Sequence, residues 1–215
     1  MDSAAHLQVQ CLIGVQCEHF VMIAADQTNI QSVVLVKDDE NKIFNVSDRI
    51  IVGMNGDYGD MGQFSQFVIR NLALYRLRNG YPLGTAAAVH FVRRKQAELL
   101  GKGAPYQLNL LIGGYCEREG PRLFFVDFLS SSHCLGYAAH GLGGVLCASI
   151  LDRYYRITMN EKEAYNLLVM CVKEIQKRLM IQLPKFQVSM VNKDGIKCLN
   201  PIVQETPVQE FKKIR

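Results

Sequence analysis

The chain has 215 residues, 49% hydrophobic and 20% charged, a balance that excludes a disordered chain and fits a globular fold with an ample core. Its 24 Lys and Arg against 20 Asp and Glu leave a net charge of +4, too small and too evenly spread to point to nucleic acid. The longest apolar run, Gly141–Leu151, has eleven residues, far short of a membrane span, and Met1–His6 lacks the basic and apolar regions of a signal peptide, so a soluble intracellular chain is expected.

The first third reads as strands: Leu12–Val15, Phe20–Ala24, Ser32–Val36, Ile43–Val46 and Ile50–Val52, short runs rich in Val and Ile. Asp38–Asn41 and Ser47-Asp48 mark turns between them; the acidic cluster Asp38–Glu40 lacks the glycine and distal glutamate of a calcium loop. From Asp60 the period becomes helical, with Phe64, Phe67, Val68, Leu72 and Tyr75 on one face, and stops at Asn79-Gly80-Tyr81-Pro82. A second helix runs from Thr85, read as its N-cap, to Gly101, and a short loop makes the two helices antiparallel neighbours. Its Arg93-Arg94-Lys95 run reads as a solvated face. Strands return at Gln107–Tyr115 and Arg122–Leu129. Gly141–Gly144 opens a third helix through Tyr155, and a fourth follows a capping box read at Thr158–Glu161, with Ala164, Leu167, Leu168, Cys171, Ile175 and Leu179 on its apolar face. A hairpin, Phe186–Val191 and Ile196–Leu199, turns at Asn192–Gly195, and the residues after Asn200 read as a loose tail.

Helix pairs thus alternate with blocks of strands rather than with single strands. That excludes a Rossmann alternation and predicts an α+β chain with two antiparallel sheets, packed face to face and covered by helix pairs. No linker divides it, so one domain over 1–215 is expected, with a core of about 11–200, an extension over 1–10 and a tail over 201–215.

Few motifs carry chemistry. The seven cysteines are odd in number and never form a Cys-x-x-Cys pair, which reads as buried small hydrophobes; His133-Cys134 is an isolated pair, so no metal is expected. Gly141-Leu142-Gly143-Gly144 lacks both the full dinucleotide fingerprint and a Walker lysine, so no cofactor is expected, and close packing explains it better. Ser130–His133 near Asp127 holds serine-protease residue types without a nucleophile elbow. More telling is the apolar run Val21–Ala25 ending in Asp26, followed sixteen residues later by Lys42 opening another apolar run. Two such charges at the mouths of core strands are costly unless they satisfy each other.

Those segments, Ala24-Ala25-Asp26, Lys42-Ile43-Phe44 and Gly53–Gly59, resemble the N-terminal half of a proteasome beta subunit. Leu74–Tyr81, Ala139–Gly143, Ser149–Tyr155, Glu174–Phe186 and Asn192–Gly195 extend the resemblance over about residues 11–200 and narrow it to the beta-4 class, also called beta type-2, of the eukaryotic 20S core. The resemblance implies an Ntn-hydrolase fold, a four-layer αββα sandwich. It also implies partners: the other alpha and beta subunits of a barrel of four seven-membered rings in cytoplasm and nucleus, serving ATP- and ubiquitin-dependent protein degradation, with neither nucleic acid nor membrane. Active members attack with an N-terminal threonine whose own amine is the base, aided by a lysine, an aspartate and a glycine N–H in the oxyanion hole.

By position, Asp26 matches that aspartate, Lys42 the lysine and Gly56 the glycine. Counting back from Asp26 without a gap puts Gln10 at the nucleophile, preceded by Val9 instead of the glycine of self-processing members. The serine that supports the amine falls on Gly144, and the late Asp–Ser pair has no counterpart in Ile181–Lys185. The resemblance therefore implies a non-catalytic structural subunit. The leading rival reading is an enzyme cut before Cys11, exposing a cysteine nucleophile, and a third is a free-standing binding module, for which no small-molecule site is visible in the sequence.

Overall fold

The structure, a computed structural model, describes residues 9–31 and 34–204. The expected extension lies outside these residues but for Val9 and Gln10, as does the expected tail beyond Gln204. In chain order the strands and helices are β1 (Cys11–Gln16), β2 (Phe20–Asp26), β3 (Asn29–Gln31), β4 (Val34–Lys37), β5 (Ile43–Ser47), β6 (Ile50–Gly56), α1 (Tyr58–Asn79) and α2 (Thr85–Gly101). They continue as β7 (Leu108–Cys116), β8 (Gly120–Val126), β9 (Ser132–Cys134), β10 (Tyr137–Gly141), α3 (Leu142–Tyr154), α4 (Glu161–Arg178), β11 (Lys185–Asn192) and β12 (Gly195–Val203). One antiparallel sheet runs β10-β1-β2-β11-β12, another β5-β6-β7-β8-β9, and β3-β4 form a separate ribbon.

Strand alternation builds the layers. In β2, Phe20, Met22 and Ala24 join Leu167, Leu168, Cys171 and Ile175 of α4 in one core, while Val21, Ile23 and Ala25 face the other sheet. In β6, Ile50, Val52 and Met54 pack on Phe64 and Val68 of α1 and Val89 and Val92 of α2, and Ile51 turns inward to the first sheet. The result is the expected four-layer αββα sandwich. The two sheets meet closely because small residues stand between the large ones; a Cβ at Gly113 would lie 2.8 Å from Val21 Cγ1.

α4 forms where its sequence is most amphipathic, and each large apolar side chain it buries contributes about 1.5–3 kcal/mol. Its capping box is Asn160 with Glu163, two residues beyond the expected one, because Asn160 Oδ1 accepts from Glu163 N–H at 2.9 Å while Glu163 Oε2 accepts from Asn160 N–H at 3.0 Å. Thr85 is not an N-cap but the first residue of α2, after Gly84. β8 ends at Val126, short of the expected Leu129, where Ser130 takes a positive φ of 66°. β9 and β10 were not expected. β12 runs three residues past Asn200, since Phe186 pairs with Ile202 and Val188 with Leu199, leaving Asn200 and Pro201 opposite Gln187 in a bulge that tolerates the proline. Cys11, Cys17, Cys147 and Cys171 are buried as expected, but Cys134 and Cys198 are exposed.

Candidate functional site

Asp26 is the last residue of β2, Lys42 immediately precedes β5, Gly56 ends β6 and Gln10 immediately precedes β1. The sheet topology brings the four to one end of the sandwich. Asp26 and Lys42 are both fully buried, and Lys42 Nζ donates to Asp26 Oδ2 at 2.7 Å and to Thr28 O at 2.8 Å. Asp26 also accepts from two backbone amides, Cys11 N–H on Oδ1 at 2.7 Å and Thr28 N–H on Oδ2 at 3.2 Å. Burial pushes the Asp26 carboxyl above the usual range, while the Lys42 ammonium and those two amides pull the other way. A buried pair so fully bonded ties the starts of β1 and β5 to the end of β2.

Tyr58, at the head of α1, closes the cluster: its hydroxyl donates to Thr28 O at 2.9 Å, and Lys42 Nζ lies 5.5 Å from its ring centroid. Burial, then the Asp26 charge, raise its hydroxyl pKa.

The decisive contact is between Gln10 and Gly56. Gly56 N–H donates to Gln10 Oε1 at 2.9 Å, and Gln10 Nε2 donates to Gly56 O at 3.1 Å. The carboxamide thus binds both backbone groups of Gly56 in a two-point bond and is itself buried. The glycine is required: φ is +149°, and a Cβ there would lie 2.0 Å from Gln107 O. Gly141 is equally constrained on the other side, with φ of +80° and a Cβ position 1.8 Å from Gln10 O. Between these glycines the residue at position 10 is clamped.

Neither Gln10 nor Cys11 is placed to attack a carbonyl. A carboxamide is no nucleophile, and Gln10 Oε1 occupies the Gly56 N–H that an oxyanion would need. Cys11, the rival nucleophile, turns its side chain to the opposite core, against Gly143, and burial pushes its thiol up to about 12. Its backbone N–H donates to Asp26 Oδ1. Gly144 sits in α3 against Ala139 and offers no hydroxyl. Elsewhere, Ser131 Oγ lies 3.3 Å from His133 Nε2, but Asp127 accepts from Ser131 N–H instead of orienting the imidazole, so the three make no triad.

Asp26, Lys42, Gly56 and Gln10 are therefore placed together, as the sequence positions imply. Thr28, Tyr58 and Gly141 were missed as members of the cluster. Only the strained glycine left a trace in the sequence, as part of a glycine-rich run.

A family model described as "Proteasome subunit" matches residues 8–191. The chain is 37% identical over 187 residues to "Proteasome subunit beta type-2-B" of Arabidopsis thaliana, covering 87% of this chain and 94% of the relative. It is 37% identical over 187 residues to "Proteasome subunit beta type-2" of Oryza sativa, covering 87% and 88%. It is 33% identical to "Proteasome subunit beta type-4" of Saccharomyces cerevisiae over 187 residues, covering 86% and 94%.

Proposed function

The chain belongs to the proteasome subunit family, and from that premise we propose that it is a non-catalytic beta subunit of the type-2/4 class. It builds the wall of a proteolytic chamber whose cutting is done by neighbouring subunits. The Gln10–Gly56 two-point bond carries this reading, because one side chain both replaces the nucleophile and fills the oxyanion position. The Asp26–Lys42 pair then has a structural task, joining strand ends, in place of tuning a nucleophile. The particle is the 20S core, acting in ATP- and ubiquitin-dependent degradation in cytoplasm and nucleus, with other alpha and beta subunits as partners.

The test uses assembled particles and an electrophile that traps N-terminal nucleophiles in Ntn hydrolases. Other subunits become labelled and this chain stays unmodified. An adduct on this chain would refute the reading, and an adduct on Cys11 would establish the cysteine enzyme in its place.

A further inference from the structure

Among the described residues β12 is an outer strand, paired on its inner side with β11. An unpaired sheet edge offers backbone donors and acceptors to any extended chain. Over most of its length this edge is blunted: the bulge at Asn200 and Pro201 interrupts it, and Pro201 has no N–H to give. Past the bulge it opens. Gln204 gives its N–H inward to Pro184 O at 2.8 Å, so by antiparallel alternation Val203 directs its N–H and C=O outward. The Val203 side chain is exposed as well.

A cleft of about 430 Å³ runs between this strand end and α4. Its helix wall carries Lys173 and Lys177, both exposed, and among the described residues no carboxylate lines it. Among the described residues neither lysine lies within ion-pair distance of an acid, whereas Glu174, beside them on α4, is bound by Arg178. The neutral polar groups of the wall are committed inward: Tyr165 Oη donates to Asn200 O at 3.1 Å, and Gln176 Nε2 to Leu183 O at 2.9 Å. Among the described residues the cleft therefore presents two uncommitted cations beside an open strand edge.

The spacing specifies the occupant. Residues four apart on a helix face stand about 5–6 Å apart. Side chains two apart on a strand stand about 6.5–7 Å apart, on one face. Carboxylates at alternate positions of an extended segment match Lys173 and Lys177. The chain's own C-terminal residues fit poorly, because Glu205 and Glu210 are five apart and Glu205 directly follows the cleft residue Gln204. We infer that this cleft receives an extended segment of a neighbouring subunit, with acidic residues at alternate positions, as a short strand added against Val203. The inference rests on the assembly reading above.

Carbodiimide coupling of assembled particles tests it, since the reagent joins an amine to a carboxylate only when the two are in contact. Lys173 or Lys177 becomes linked to an acidic residue of another subunit, within an acid-x-acid sequence. In competition with the unaltered chain, the Lys173→Glu/Lys177→Glu variant enters particles roughly three- to tenfold less well, while Lys173→Arg/Lys177→Arg enters normally. A chain that is incorporated but has these lysines unlinked, or linked only to its own Glu205 or Glu210, overturns the inference and leaves the assembly reading standing. Normal entry of the charge-reversed variant overturns it too. A chain absent from particles overturns the assembly reading, and the inference with it.

Discussion

Replacing Lys42 by Met removes one charge of a fully buried pair and leaves the other. Met matches the aliphatic stem of the lysine, so packing changes little and the loss is electrostatic. Asp26 keeps its two amide donors, from Cys11 and Thr28, but loses the ammonium at 2.7 Å. Breaking a buried pair in this way costs about 3–5 kcal/mol, a large part of the 5–15 kcal/mol that holds a typical domain together. With its cation gone, the Asp26 carboxyl moves further above its unfolded value of about 3.9. A raised carboxyl pKa means that stability present below the unfolded value is lost as pH rises through the folded one. The penalty in Lys42→Met is therefore smallest in acid and grows toward neutral pH. The partner variant Asp26→Asn/Lys42→Met carries no orphan charge and recovers part of the loss. Urea denaturation of the dilute full-length chain across this pH range measures the first effect, and incorporation into particles measures its consequence. Peptidase activity per assembled particle stays unchanged in both variants. Equal destabilisation of single and double variants would refute the ion-pair reasoning, and loss of one cleavage specificity per particle would refute the structural role.

Gln10→Leu removes both bonds to Gly56 and leaves a buried N–H and C=O unpaired, so stability falls by about 2–4 kcal/mol in urea denaturation with no gain in peptidase activity. His140 is buried, stacked on Phe125 at 4.0 Å between ring centroids, and 3.1 Å from Leu110 O. Burial lowers its pKa from 6.5 to about 4, so the unfolded chain takes the proton first as pH falls. The His140 contribution to stability is flat above about pH 6.5 and falls by about 3 kcal/mol between there and pH 4, and His140→Gln removes that contribution from the acid denaturation profile.

What the sequence made legible follows from distance along the chain. α4, α1 and the β11–β12 hairpin announce themselves because periodicity, caps and turn residues act over a few residues. β9 and β10 did not, since Ser132–Cys134 and Tyr137–Gly141 are short and hold no β-branched residue; pairing with β8 and β1 makes them strands. The end of β12 was hidden by Pro201, which a bulge accommodates only because β11 is there to oppose it. Asp26 and Lys42 stood out as charges in apolar runs, where burial demands a partner. The Gln10–Gly56 bond joins residues 46 apart, and no local pattern foretells it. Position alone marked Gln10 as the missing nucleophile. Only geometry showed that its side chain bonds both backbone groups of Gly56.

On the reading proposed above, this chain never makes a free N-terminal nucleophile. Intact-mass measurement of the chain recovered from assembled particles tests it most directly. The expected species is a polypeptide that still carries Val9 and Gln10 ahead of Cys11, with no inhibitor adduct after treatment with the trapping electrophile. A polypeptide beginning at Cys11 and bearing that adduct would contradict it.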